Sequence, residues 1–317
     1  MAKSQFRSLI KFICTIIILA LSECSIARAS IQRSEGYIDT NNNGKLYFQT
    51  FGAGEPLIVV HGGPGLDQTY FLPQMLELAK THQVTFYDQR GSGKSLGGKI
   101  TEKTINITRF IEDLEALRVH LNFKQFTLIG HSWGGRVAME YSIRYPDNLR
   151  NLVLLNSTPA TYKGQVALAH ELERVKPAEH KGKDMFDYSS FIKLNPIEIG
   201  KLYKDYFLSF FYNQRGIAKL SLKFNEPSAK SGMKVFHTMN KTSWFQKDLD
   251  LRPELNKLNI PTLIIHGDYD PIPLSVIKEI NANIPNSKLV VLKNCGHFPF
   301  IDCPKHFFDE LNSFLKK

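Results

Sequence analysis

The sequence predicts an α/β fold: a mostly parallel central sheet with helices on both faces, interrupted once by an inserted helical cap. Three observations carry this expectation. Short apolar runs of strand type alternate with amphipathic helical patterns up to residue 155 and again from residue 261. Between them, residues 157–250 lose the alternation and become helical, aromatic and lysine-rich. Residues 126–144 read as strand, tight turn and helix around Gly130-x-Ser132-x-Gly134. A serine on such a turn stands above the sheet. Its flanking glycines let strand and helix approach where a Cβ would collide.

In chain order, residues 1–29 read as a targeting segment outside the fold. Lys3, Arg7 and Lys11 make a positive start with no acid before Glu23. Residues 12–21 form an apolar stretch, short for a bilayer span. Ala27-Arg28-Ala29 offers small residues at the two positions a signal peptidase reads. Export to the periplasm or medium, with cleavage after Ala29, is therefore expected. The alternatives are a lipid anchor at Cys24, which Glu23 fits poorly, and an uncleaved membrane anchor. Cleavage removes Cys14 and Cys24 and leaves Cys295 and Cys303, either as a disulfide or as two buried thiols.

The first part of the core, residues 30–156, opens with two antiparallel strands at 34–40 and 46–51, joined by Asn41-Asn42-Asn43-Gly44. A buried strand at 56–60 empties into His61-Gly62-Gly63-Pro64-Gly65. A helix at 70–80 and a strand at 83–87 follow, ending at Asp88-Gln89-Arg90-Gly91-Ser92-Gly93-Lys94-Ser95. The helix expected at 104–121 carries Ile107, Phe110, Ile111, Leu114, Leu117 and Leu121 on one face. After the serine turn and its helix, residues 152–155 are another buried strand.

In the cap, residues 157–250, Leu202, Tyr203, Tyr206, Phe207, Phe210 and Phe211 recur at helical spacing. This stripe either packs the cap on the core or lines a substrate pocket beneath it. The second part of the core, residues 251–317, resumes with strands at 261–266 and 288–292 and helices at 274–283 and 305–315.

Composition excludes several functions. The 317 residues, 43% of them hydrophobic, suffice for one large core carrying an insertion. The formal charge of +10 would suit an anionic partner, but the Lys and Arg residues are scattered and no basic run interleaves with aromatics. No nucleic-acid partner is expected, nor a stable membrane span after processing. The histidines show no paired metal-ligand spacing, so neither metal nor cofactor is expected. Gly91-Ser92-Gly93-Lys94-Ser95 resembles the end of a phosphate-binding loop, but the glycine required five residues before Gly93 is Asp88. Asp88 and Arg90 are read instead as ties within that turn.

A serine hydroxyl needs a base, and the base needs an orienting acid. Asp270 lies in Gly267-Asp268-Tyr269-Asp270 just after one buried strand, and His297 follows the last strand. Strand carboxyl ends should bring both above Ser132. Ser132 is thus expected as nucleophile, His297 as general base then acid, and Asp270 as orienting acid, with Asp268 its competitor. The oxyanion donors are expected to be Trp133 N–H and Gly63 N–H, with Gly62 the alternative to Gly63. His61 and His131 are read as structural.

His61-Gly62-Gly63-Pro64-Gly65, Asp88-Gln89-Arg90-Gly91-Ser92-Gly93 and Gly130-His131-Ser132-Trp133-Gly134-Gly135 together resemble the proline iminopeptidase branch of the α/β-hydrolase fold. Gly267-x-x-Asp270 and Gly296-His297 complete the likeness, which spans residues 36–158 and 251 to the end. The resemblance implies cofactor-free release of N-terminal proline from peptides, with cap carboxylates against the substrate's free amine. It also implies a Gly-Pro-x-Glu-Phe segment in the cap. Here the corresponding stretch, 236–245, holds no acid, a departure that bears on the peptidase activity and not on the hydrolase chemistry.

An acid from elsewhere in the cap would then have to substitute. Glu226, in Asn225-Glu226-Pro227 read as a turn, is the first candidate, before Glu171, Glu173 and Glu198. Three readings follow: an exported serine aminopeptidase acting on a small peptide, an esterase or lipase with the same triad, and a non-catalytic binding protein on the fold.

Overall fold

The computed structural model describes residues 32–40 and 44–316; the expected targeting segment and its cleavage point lie outside the described residues. Eight strands form one sheet: β1 (Arg33–Thr40), β2 (Gly44–Phe51), β3 (Glu55–Val60), β4 (His82–Tyr87), β5 (Phe126–His131), β6 (Leu149–Leu155), β7 (Thr262–Gly267) and β8 (Ser287–Leu292). Their spatial order is β1-β2-β4-β3-β5-β6-β7-β8. The β1–β2 and β2–β4 pairs are antiparallel, and every pair from β4–β3 onward is parallel. The wholly apolar strands are the central ones because helices cover them on both sides.

The period of two along each strand divides the core. Ile58 and Val60 point with Leu128, Leu152 and Leu154 into one hydrophobic cluster, under α1 (Ile107–His120), α2 (Trp133–Arg144) and α6 (Leu274–Ala282). Leu57 and Val59 point with Ile129, Val153 and Leu155 to the other side, against α7 (Pro304–Leu315) and the aromatic part of the cap.

Between β6 and β7 lie α3 (Tyr162–Val175), α4 (Pro196–Phe207) and α5 (Glu226–Met239). The insertion leaves and returns at one point. Tyr162 N–H donates to Leu249 O (2.8 Å) and Leu251 N–H to Ala160 O (2.9 Å). Its helices start where side chains satisfy their first N–H groups: Asn195 with Glu198 before α4, and Asn225 with Ser228 before α5.

Two expected helices differ in detail. Residues 70–80 form two short 3₁₀ segments, Gln68–Phe71 and Gln74–Lys80. Pro73 explains the break, since it lacks an N–H and forces Leu72 into extended backbone (φ −96°, ψ 139°). The helix expected from residue 104 begins at Ile107, because Asn106 is extended and its side chain accepts from Arg109 N–H. Among the described residues, no helix is long and apolar enough to cross a membrane.

Candidate active site

Ser132 sits between β5 and α2 at φ 56°, ψ −121°, a strained region for a residue with a Cβ. Its neighbours over-determine that geometry. Ser132 N–H donates to Leu155 O (3.0 Å), while Ser132 O accepts from Gly135 N–H (2.9 Å) and Thr158 N–H (3.1 Å). A Cβ on Gly130 would collide with Gly134 O, and one on Gly134 with Val60 O. Both glycines are therefore required for helix and sheet to come this close.

His297 Nδ1 lies 2.8 Å from Asp270 Oδ2. A carboxylate can only accept, so the proton is on Nδ1 and Nε2 is left with its lone pair. Asp270 is fully buried, and burial alone would raise its pKa. The charge and hydrogen bond of His297, together with His266, more than offset this and hold it below the ordinary carboxylate value. Asn156 Nδ2 and Ile272 N–H (2.8 Å) also donate to the carboxylate. Asp268, the competing acid, instead faces Lys293 at 3.6 Å and accepts from Cys295 N–H.

Ser132 and His297 line one cavity of about 220 Å³ at the carboxyl edge of the sheet. Among the described residues, no hydrogen bond joins the Ser132 hydroxyl to the imidazole; such bonds commonly tighten only with substrate bound. Gly63 also lines the cavity. Gly62 N–H is committed to the Tyr70 hydroxyl at 2.5 Å, so of the two candidate glycines Gly63 is the one not held by that bond. Trp133 N–H opens α2 and has no partner within the helix.

Both expected structural histidines brace these donors. His131 Nε2 lies 2.9 Å from His297 O, so it carries the proton and donates. Burial lowers the His131 pKa to about 3, which keeps the ring neutral. Nδ1 therefore accepts from the Tyr70 hydroxyl at 2.7 Å. A chain of one polarity thus runs from Gly62 N–H through Tyr70 and His131 to the backbone of His297. His61, lowered to about 4 by burial, accepts from Gln89 N–H at Nε2 (2.9 Å) and so donates from Nδ1 to Gly62 O. Gln89 Oε1 accepts in turn from the Trp133 indole (2.9 Å). Arg90 ties the next turn to α1 through a buried pair with Asp113, and Asp88 accepts from Gln68 N–H and Lys94 N–H.

The loop bearing His297 is clamped twice. Cys295 and Cys303 form a disulfide, with Cα atoms 5.7 Å apart. The loop also hangs on the cap: His297 N–H donates to Phe210 O (2.8 Å), and the Asp302 carboxylate accepts from Gly296, Tyr212 and Asn213 N–H.

A family model described as the alpha/beta hydrolase fold matches residues 55–304. The chain belongs to the α/β-hydrolase family. Within that family it is proline iminopeptidase-like. A proline iminopeptidase from Saccharolobus solfataricus is 30% identical over 311 residues, covering 90% of this chain and 95% of that one. Among solved structures, a proline iminopeptidase-related protein from Thermus thermophilus superposes with a TM-score of 0.68 at 24% identity, covering 90% and 98% of the two chains. An esterase from Exiguobacterium antarcticum does so at 0.66 and 23%, covering 90% and 100%. At these identities the two structures speak for the α/β-hydrolase fold alone.

The cap side of the cavity corrects one expectation. Glu226, expected as a turn residue facing substrate, is the first residue of α5, exposed and paired with Lys230 at 2.6 Å. Asn225 is the cap of that helix, and an acid in the first turn is favoured by the helix dipole. Glu171 pairs with Arg174, Glu173 with Lys176, and Glu198 completes the cap of α4. None of these acids lines the cavity. Of the aromatic stripe, Tyr203, Tyr206, Phe207 and Phe210 line it, while Phe211 stacks on Phe298 at 5.1 Å.

Asn156, Tyr70 and Asp302 belong to the site without being marked in the sequence as catalytic. Asn156 carries a signal, being the polar residue directly after a buried strand. Tyr70 and Asp302 carry none.

Proposed function

We propose that this proline iminopeptidase-like α/β hydrolase works as a serine hydrolase through an acyl-enzyme. The observation that carries the reading is the Asp270–His297 Nδ1 bond, which leaves Nε2 with its lone pair on the cavity that Ser132 also lines. Ser132 Oγ attacks the substrate carbonyl and its proton passes to His297 Nε2, with Asp270 stabilising the imidazolium. Gly63 and Trp133 N–H hold the developing oxyanion. His297 then protonates the leaving group as the acyl bond breaks, and a water deprotonated by the same nitrogen releases the acid.

The test is Ser132→Ala. It should abolish labelling by a fluorophosphonate and lower kcat by several orders of magnitude. Undiminished labelling would remove Ser132 from the role.

The relatives' name makes a prolyl arylamide the first substrate to assay. Among the described residues no carboxylate lines the cavity, which favours aryl esters as the second. We also propose that the protein is exported. The basic and apolar leader and the Cys295–Cys303 disulfide support this, since such bonds persist in oxidising compartments. A mature N-terminus other than about residue 30 would count against cleavage after Ala29.

A further inference from the structure

We infer that the acyl group transferred to Ser132 is uncharged: the cavity takes a neutral, largely apolar acyl group and rejects one bearing an α-ammonium. The inference rests on the serine hydrolase reading above and adds the chemistry of what that serine accepts.

The walls are the evidence. Leu168, Leu172, Tyr203, Tyr206, Phe236 and Trp244 line the cavity together with Ser132. Among the described residues, no Asp, Glu, Lys or Arg lines it. Two buried acids outside the lining are already engaged. Asp270 lies beneath His297 with its carboxylate bonded by His297, Asn156 and Ile272. Asp67, directly after the lining residue Leu66, caps the Gln68–Phe71 turn through Thr69 N–H.

An ammonium entering this space would lose its hydration and find no carboxylate, a cost that ring faces offset only in part. It would also sit two bonds from the reacting carbonyl, beside an imidazole that turns positive as the bond forms. The formal charge of +10 on the chain adds no attraction for a cation.

Apart from Ser132 and the histidines, the polar side chains among the lining residues are uncharged. Among the described residues, neither the Asn240 amide nor the Tyr203 and Tyr206 hydroxyls hydrogen-bond to protein, although all three residues line the cavity. Asn240 opens a π-helical turn, Asn240–Trp244, at the end of α5. There its amide can donate to and accept from an uncharged carbonyl, amide or hydroxyl on the acyl group. We therefore assign Asn240 as a specificity-determining residue, a neutral hydrogen-bonding group where a carboxylate would select for amines.

The test compares p-nitrophenyl esters of cyclopentanecarboxylic acid and L-proline. These acyl groups have the same ring shape and differ in the amine, which is protonated at pH 6.5. The full-length protein should favour the carbocyclic ester by about 100-fold or more in kcat/KM. Asn240→Asp, or Leu172→Asp should the first fail to fold, should narrow that ratio by at least about tenfold.

Equal or better turnover of the prolyl ester would overturn the inference and make the aromatic walls a cation site. Two inert esters with Ser132 still labelled by a fluorophosphonate would overturn it as well. Loss of both labelling and turnover would instead sink the serine hydrolase reading. Strong discrimination by the native chain with an unchanged ratio in both folded Asp variants would keep the neutral acyl group and withdraw Asn240.

Discussion

The sheet-side wall of the cavity is held by hydrogen bonds, and the cap-side wall by ring packing. On the sheet side, Gly62, Tyr70, His131 and His297 are joined by bonds of fixed polarity, and Gln89 links His61 to Trp133. Each group there has one permitted orientation. On the cap side, Phe186 packs on Tyr203 at 5.1 Å and on Tyr206 at 5.0 Å, and Tyr206 on Phe210 at 5.0 Å, with no polar bond among the rings. Ring packing fills space but tolerates substitution far better than a directed network. On the proposed mechanism, reaction chemistry resides on the first wall and substrate choice on the second.

Mutations can break that contrast, and the largest effect belongs to the directed side. Asp270→Asn should lower kcat by about 1,000- to 10,000-fold, because the histidine loses its fixed tautomer. Asp268→Asn, at a surface pair with Lys293, should change kcat by less than about threefold. Comparable losses in steady-state assays would leave the orienting acid unassigned.

Next in size is the clamp on the His297 loop. Replacing Cys295 and Cys303 together by Ala should cost about 2–3 kcal/mol of stability, from the entropy of closing a short loop. Urea unfolding of the oxidised protein and the variant measures this directly. A third effect falls on the network: Tyr70→Phe strands Gly62 N–H and His131 Nδ1, and should lower kcat about tenfold with KM little changed.

The same network makes the sheet side sensitive to acid. His61 and His131 have folded-state pKa values lowered by burial to about 4 and about 3, so the unfolded chain binds protons that the folded chain refuses. The contribution of each ring should thus fall as pH drops below about 6.5, by about 1.4 kcal/mol per pH unit until its folded value is reached, against the opposite contribution of Asp88 and Asp113, whose pKa values burial raises to about 7 and about 6. NMR titration of the two imidazoles from pH 7 to pH 4.5 would follow it directly, and protonation of either ring near pH 6.5 would contradict the neutral assignments. The smallest effect is expected on the cap: Leu172→Ala should move KM for bulky acyl esters a few-fold and leave acetyl esters alone. A large kcat loss would mean that the cap wall also positions the reacting groups.

What is legible in the sequence follows the same division. The parallel core can be read because each buried strand is a wholly apolar run. Ser132, Asp270 and His297 can be brought together from the sequence because each lies in the turn after a strand, where strand ends must converge. Partners from distant segments cannot be read. Tyr70 meets His131 across 61 residues, and Asn156 meets Asp270 across 114. Glu226 misleads because Asn-Glu-Pro fits a turn as well as a helix start, and only the helix behind it decides. The aromatic stripe reads as one face, but α4 ends at Phe207, and the 3₁₀ turn after it swings Phe211 onto Phe298.

The suspension of the His297 loop from Phe210, Tyr212 and Asn213 has a practical consequence for anyone recombining these enzymes. The single exit and return point at residues 160–162 and 249–251 makes the cap look like a cassette that could be exchanged whole. It is not fully detachable. A graft carrying a foreign segment at 210–213 would unhook His297 from its mount while leaving every sheet residue intact. Chimeras meant to alter substrate range should therefore keep those four residues with the recipient and cross over on either side of them.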